Sequence, residues 1–193
     1  MPMETVAGLV LTGGSSRRLG RDKAMLPTPE GPLAVRVSSV VAAAANGPVV
    51  EVGPGVTGLA HVVEDPPGAG PLAALAAGAG ELRRRGHDGA FLVMACDLPN
   101  LTVGLAAWLR DQAGTCVPVV DGRLQPLCAR YELAAGEVAD RLLAAGERSL
   151  RALLDALDVV YLDEAAWSCC AVASTFSDID TLADLAASGL VQP

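Results

Sequence analysis

Two short apolar runs, Val6 to Leu11 and Ala90 to Ala95, show no alternation of apolar and polar residues, and each stops at residues foreign to a core, Thr12-Gly13-Gly14 and Cys96-Asp97. Strands buried on both faces of a parallel sheet read this way. Between and after them the pattern alternates. Helical stretches are expected at Leu33 to Ala45, Pro71 to Arg85, Thr102 to Gln112, Leu133 to Ala145, Glu147 to Leu157 and Thr181 to Ser188. Strands are expected at Val49 to Val52, His61 to Val63, Thr115 to Val120, Leu124 to Tyr131 and Val159 to Leu162, with Asp121-Gly122 as a hairpin turn. Strands separated by helices imply βαβ units and an open, mostly parallel sheet covered on both faces, so the fold class is α/β. In such a sheet ligands bind beyond the carboxyl ends of the strands, which directs attention to Thr12 to Ala24 and Cys96 to Asn100.

Composition narrows the function. A chain of 193 residues, 51% hydrophobic and 19% charged, is expected to form one domain with a substantial core. Its formal charge of −8 disfavours nucleic acid as a partner. No apolar run approaches the ~20 residues of a spanning helix, and Val6 to Leu11 is too short for a signal sequence, so neither a membrane nor export is expected. Five cysteines (Cys96, Cys116, Cys128, Cys169 and Cys170) form no C-x-x-C pair, which fits a reducing cytoplasm better than a disulfide framework or zinc ribbon. His61 and His87 stand apart from any recognisable nucleophile, against triad chemistry.

The segment Thr12-Gly13-Gly14-Ser15-Ser16-Arg17-Arg18-Leu19-Gly20-Arg21-Asp22-Lys23-Ala24 follows the first strand directly. Glycines allow backbone N–H groups to turn toward an anion and let a phosphate approach closely. Gly-Gly alone is equally compatible with an ordinary βα turn, and the segment is neither a Walker A loop nor the G-x-G-x-x-G fingerprint. Charge strengthens the phosphate reading: four basic residues stand against Asp22 in this stretch of an otherwise acidic chain. Thirteen of the fourteen basic residues are arginine, and Lys23 is the only lysine. A compact ammonium fits between phosphate oxygens where a planar guanidinium does not.

From Val10 to Ala24 the sequence resembles the L-A-G-G-x-S-x-R-M-G-x-D-K-A signature of the molybdenum cofactor guanylyltransferases, the MobA family, departing from it at Thr12 and Leu19. The resemblance implies a three-layer α/β/α Rossmann-like nucleotidyltransferase fold. It also implies transfer of GMP from GTP to the phosphate of molybdopterin. Residues 1–100 would be mainly the nucleotide-binding half and residues 101–193 mainly the acceptor-binding half.

Val62-Val63-Glu64-Asp65 followed by Gly70-Pro71-Leu72-Ala73-Ala74-Leu75 is similar to the family's V-x-D and G-P-L-A-G-L elements, and Cys96-Asp97-Leu98-Pro99 to its C-D-x-P strand end. By resemblance, Leu11, Thr12, Gly13, Gly14, Ser15, Lys23, Asp65, Gly70, Pro71, Leu72 and Asp97 would hold the nucleotide. Arg18, Lys23 and Asp97 would be catalytic, with Asp97 the ligand of a Mg²⁺ cofactor. A carboxylate at Asp65 could accept from the N1–H and 2-amino edge of guanine, or could simply cap a turn before Pro66-Pro67. An Asp at position 97 could likewise be satisfied by loop N–H groups.

Gln125 to Tyr131 is similar to the strand on the pterin side, and Ser149-Leu150-Arg151 to the helix after it. Phe176 to Leu185 is similar to F-x-N-x-N-T-P-E-D-L, with Asp178 and Asp180 in place of both asparagines. The asparagine that the family often places at the end of the second strand is absent from Val49-Val50-Glu51-Val52-Gly53-Pro54. GTP and molybdopterin are the partners implied, with room left for contacts to molybdenum-insertion proteins or apo-molybdoenzymes. The alternatives are the sibling cytidylyltransferase, another nucleotidyltransferase, or a non-catalytic nucleotide-binding relative.

Overall fold

The computed structural model describes residues 4–13, 22–179, 184, 188 and 189. Its central sheet has the order β10-β7-β9-β6-β1-β4-β5, with β8 attached to β7. The strands are β1 (Ala7–Leu11), β4 (Val49–Val52), β5 (Ala60–Val62), β6 (Phe91–Ala95), β7 (Thr115–Val120), β8 (Arg123–Leu124), β9 (Cys128–Tyr131) and β10 (Val159–Leu162). A separate two-stranded ribbon, β2 (Pro27–Thr28) with β3 (Gly31–Pro32), precedes the first helix. The helices are α1 (Leu33–Ala44), α2 (Pro71–Arg84), α3 (Val103–Arg110), α4 (Ala134–Ala144), α5 (Leu150–Asp155) and α6 (Glu164–Trp167). Single 3-10 turns lie at Lys23–Met25 and Ala173–Phe176.

The period-2 geometry of the strands divides the apolar residues between two cores. Ala7, Leu9 and Leu11 of β1 with Phe91 and Val93 of β6 face α2, α4 and α5. Val10, Leu92 and Met94 face α1, α3 and α6. Both faces of each central strand are therefore buried, which is why their sequences do not alternate. The result is three layers, as expected. α2 shows the terminal chemistry of its ends: Pro71 sits in its first turn, Arg83 and Arg84 occupy its last, and Gly86 follows at φ +81°.

The segment Leu124 to Tyr131 corrects the expectation of one strand. It breaks around Pro126 into β8 and β9, since proline has no N–H for a ladder. β9 then runs antiparallel between β6 and β7, so the sheet is mixed on that side while β6, β1, β4 and β5 remain parallel. Asp121 (φ +49°) and Gly122 (φ +73°) do make the tight turn from β7 into β8. The expected helix at Thr181 to Ser188 falls almost wholly outside the described residues.

The chain leaves β1 toward β4 on one side and returns to β6 on the other, which places the topological switch at the carboxyl ends of β1 and β6. At the opposite end, buried Arg130 of β9 clamps the sheet. Its guanidinium donates to Glu4 (2.6 Å), Glu132 (2.8 Å) and the Gly114 carbonyl. Among the described residues no helix is long and apolar enough to cross a membrane.

Candidate active site

A cleft of about 750 Å³ opens at the switch point. Leu11, Thr12 and Gly13 enter it from the end of β1, and Ala95, Cys96 and Asp97 from the end of β6. Asp22 and Lys23 come from the 3-10 turn, where the Asp22 carboxylate accepts from the Ala24 N–H at 3.0 Å. The segment between β5 and α2 supplies Glu64, Gly68, Gly70 and Pro71. A second hollow of about 890 Å³ adjoins the first and shares Ala95, Asp97 and Leu127 with it. Its further wall includes Asp121, Arg123, Gln125, Asp178 and Asp184.

Asp97 stands on the shared wall. Its carbonyl accepts from the Ile179 N–H at 3.1 Å, which holds the chain beside Asp178 against it. Its carboxylate lies 3.1 Å from Lys23 Nζ, with the two side chains 24% and 18% exposed. Burial pushes the Asp97 pKa up, and the nearby Asp178 charge adds to this, while Lys23 pulls in the other direction. The neighbouring Cys96 thiol is pushed up to about 12 by burial and then by Asp97, so it is a poor nucleophile. Cys128, fully buried in β9, is also raised to about 12.

The expected site residues separate into three groups. Leu11, Thr12, Gly13, Lys23, Gly70, Pro71 and Asp97 all line the cleft. Gly14, Ser15 and Arg18 lie outside the described residues. Leu72 and Asp65 are placed differently from the expectation. Leu72, in the first turn of α2, is buried in the core and does not line the cleft. Asp65 is exposed, whereas Glu64 lines the cleft and is 7% exposed, its Oε1 accepting from the Gly68 N–H at 2.9 Å.

Sequence reasoning missed Glu51. Fully buried in β4, it binds the end of β1 to the loop after β4. Oε1 accepts from Thr12 Oγ1 (2.6 Å) and from the N–H groups of Gly55 (2.8 Å) and Val56 (3.0 Å). Oε2 accepts from the N–H (2.8 Å) and the hydroxyl (2.6 Å) of Thr57. Burial alone would raise its pKa, but these donors outweigh it and bring the value down to about 2. The available signal was a lone glutamate inside the apolar run Val49-Val50-Glu51-Val52. A charge there needs several partners.

Asp97 offers a hard oxygen donor suited to a divalent cation. Among the described residues no group of three or more His, Cys, Asp or Glu side chains is disposed to hold a metal ion. A cation at Asp97 would therefore need most of its ligands from water and bound phosphate.

Residues 8–160 match the family described as MobA-like NTP transferase domain. The chain is similar to a probable molybdenum cofactor guanylyltransferase of Mycobacterium tuberculosis strain H37Rv, 38% identical over 171 residues that span 80% of this chain and 82% of the relative. A protein of the same description from Mycobacterium avium strain 104 is 40% identical over 169 residues, 79% of this chain and 82% of the relative. Among solved structures, molybdopterin-guanine dinucleotide biosynthesis protein A from Archaeoglobus fulgidus superposes with a TM-score of 0.76. It is 23% identical, with 95% of this chain and 96% of that one covered, a likeness of fold.

Proposed function

The chain belongs to the MobA-like NTP transferase family, and on that premise we propose that it transfers GMP from GTP to the terminal phosphate of molybdopterin in maturation of the molybdenum cofactor. The observation that carries this reading is the meeting of two adjoining hollows at Asp97 and the only lysine of the chain. The hollow between β1 and α2 takes the nucleotide. The one beyond Asp97, built by β7, β8 and the 3-10 turn Ala173–Phe176, takes the acceptor, in keeping with a nucleotide-binding half and an acceptor-binding half.

A phosphate oxygen of the acceptor attacks the α-phosphorus of GTP, the bond to the β-phosphate oxygen breaks, and pyrophosphate leaves. No general base is needed, because the acceptor phosphate is already ionised at neutral pH. Positioning and charge neutralisation therefore dominate. Lys23 holds phosphate oxygens at the start of the loop, where the Gly13 N–H is engaged by the Val52 carbonyl at 3.3 Å. Gly14, Ser15 and Arg18 are assigned to the same task from their place in the motif. Asp97 would hold a Mg²⁺ ion, whose charge would offset that developing on the phosphates. Glu64 presents a carboxylate to the nucleotide hollow, in the position first given to Asp65, where it can accept from the N1–H and 2-amino group of guanine. The free thiols of Cys96, Cys116, Cys128, Cys169 and Cys170 fit a reducing cytoplasm.

The test is transfer by the purified protein from labelled GTP to molybdopterin with Mg²⁺, reading pyrophosphate and the dinucleotide product. Turnover with GTP and little with CTP is expected. A preference for CTP would move the chain to the cytidylyl branch, and no turnover with either would overturn the assignment.

A further inference from the structure

We propose that Lys23 acts as the internal counter-cation of Asp97 and keeps the metal position closed until nucleotide phosphates draw it away, so that the divalent cation arrives with the nucleotide and not before it. This rests on the reading of Asp97 as metal anchor and of Lys23 as phosphate ligand, and adds to it an order of binding.

Three observations carry it. First, Lys23 Nζ lies 3.1 Å from Asp97 Oδ2, and both side chains are more than three-quarters buried, so the ammonium sits against the oxygen a metal would use. A Mg²⁺ ion at ~2.1 Å from that oxygen would be within about 5 Å of the ammonium, in a wall that screens charge poorly.

Second, no group of three or more metal-binding side chains is disposed around an ion among the described residues. Among the described residues a bare cation thus finds fewer than three such side chains with which to displace the lysine. A triphosphate supplies both what the cation lacks and what the lysine prefers.

Third, the exchange can proceed by movement of the Lys23 side chain. Ala24 is completely buried and the 3-10 turn is capped by Asp22, so the backbone at Lys23 is held while its four-carbon stem can swing. An arginine could not do the same, because its planar fork would bind the carboxylate through two parallel bonds and release it less readily. A chain otherwise committed to arginine retains one lysine at this point.

Mn²⁺ serves as probe, its free form being read by electron paramagnetic resonance in the absence of nucleotide. Lys23→Met, of similar length and uncharged, should bind Mn²⁺ at least about tenfold more tightly than the wild type. The double variant Lys23→Met/Asp97→Asn should lose that gain. Equal affinities of wild type and Lys23→Met would overturn the proposal, as would retention of the tight site in the double variant.

A second measurement needs no substitution. Reductive methylation with carbon-13 formaldehyde labels Lys23 as the only lysine, apart from the N-terminal amine. Its methyl resonance should shift with GTP alone and stay in place with millimolar Mg²⁺ alone. A shift with Mg²⁺ alone as large as that with GTP would overturn the order of binding. Failure of the transfer assay with normal Mn²⁺ and methyl responses would count against the proposed reaction and leave this inference standing.

Discussion

Thr12 donates its hydroxyl proton to Glu51, and that one bond ties the first residue of the glycine loop to three backbone N–H groups of the loop after β4. Thr12→Val keeps the volume and removes the donor, leaving a buried carboxylate short of a partner. A stability loss of about 1–3 kcal/mol is expected by denaturant titration. The pH dependence has a definite sign. The Glu51 pKa is depressed from 4.5 to about 2 in the folded chain, so its contribution is complete above about 4.5 and is lost as pH falls toward 2. Glu51→Gln should therefore melt well below the wild type at pH 6, and the gap should narrow between pH 4.5 and the lowest pH at which both still fold. A constant gap would mean that the charge of Glu51 is not what holds the loop. Asp97 has the opposite sign: burial raises its pKa, so ionisation at neutral pH weighs against folding. Asp97→Asn should lower transfer by about 10²-fold or more while leaving Tm at pH 7 unchanged or higher.

At the scale of elements, the exits of β1 and β4 approach each other so closely that Gly53 is confined to glycine. Its φ is +150°, and an added Cβ would lie 2.9 Å from the Gly13 N and closer still to Thr12 Oγ1. Gly53→Ala should cost about 1 kcal/mol or more and raise the KM for GTP more than it lowers kcat, because the displaced atoms belong to the nucleotide wall. An unchanged KM in a folded variant would detach this loop from nucleotide binding. The elements that converge here were legible to very different degrees. β1 and β6 announce themselves through unbroken apolar runs; Lys23 stands out as the only lysine in the basic stretch after β1, and Asp97 as the first charged residue after β6. β9 was not legible as an antiparallel strand between β6 and β7, since strand order is set by long-range pairing that no local pattern records. The exchange of Asp65 for Glu64 on the cleft wall has the same origin. Which of two adjacent carboxylates turns inward depends on the path of the chain between β5 and α2, and no periodicity constrains that path. Glu51 was visible only as an anomaly in an apolar run, its donors lying up to 39 residues away in sequence.

Across the whole molecule, two cores on opposite faces of one sheet leave the carboxyl ends of β1, β4 and β6 as a rim where charge can stand without disturbing the packing. The chain as a whole carries −8, and carboxylates of Glu64, Asp97 and Asp178 line the two hollows, so the overall field opposes a polyanionic nucleotide and the proposed binding has to rest on local cations such as Lys23. Binding to this rim should therefore register as a gain in global stability that depends on base identity and on divalent metal. By mass action a ligand at about 100 times its Kd adds about 2.7 kcal/mol. For a domain of this size each kcal/mol moves Tm by about 2–4 °C, so saturating GTP with Mg²⁺ should raise Tm by about 5–10 °C. CTP, ATP and UTP lack the paired N1–H and 2-amino donors that a carboxylate such as Glu64 can accept, and their shifts at equal concentration should be smaller. EDTA should reduce the GTP shift without abolishing it, because the phosphate contact proposed for Lys23 does not depend on the metal. Glu64→Gln should bring the GTP shift down toward that of the other nucleotides. A GTP shift no larger than that of CTP, or one untouched by Glu64→Gln, would remove Glu64 from base recognition.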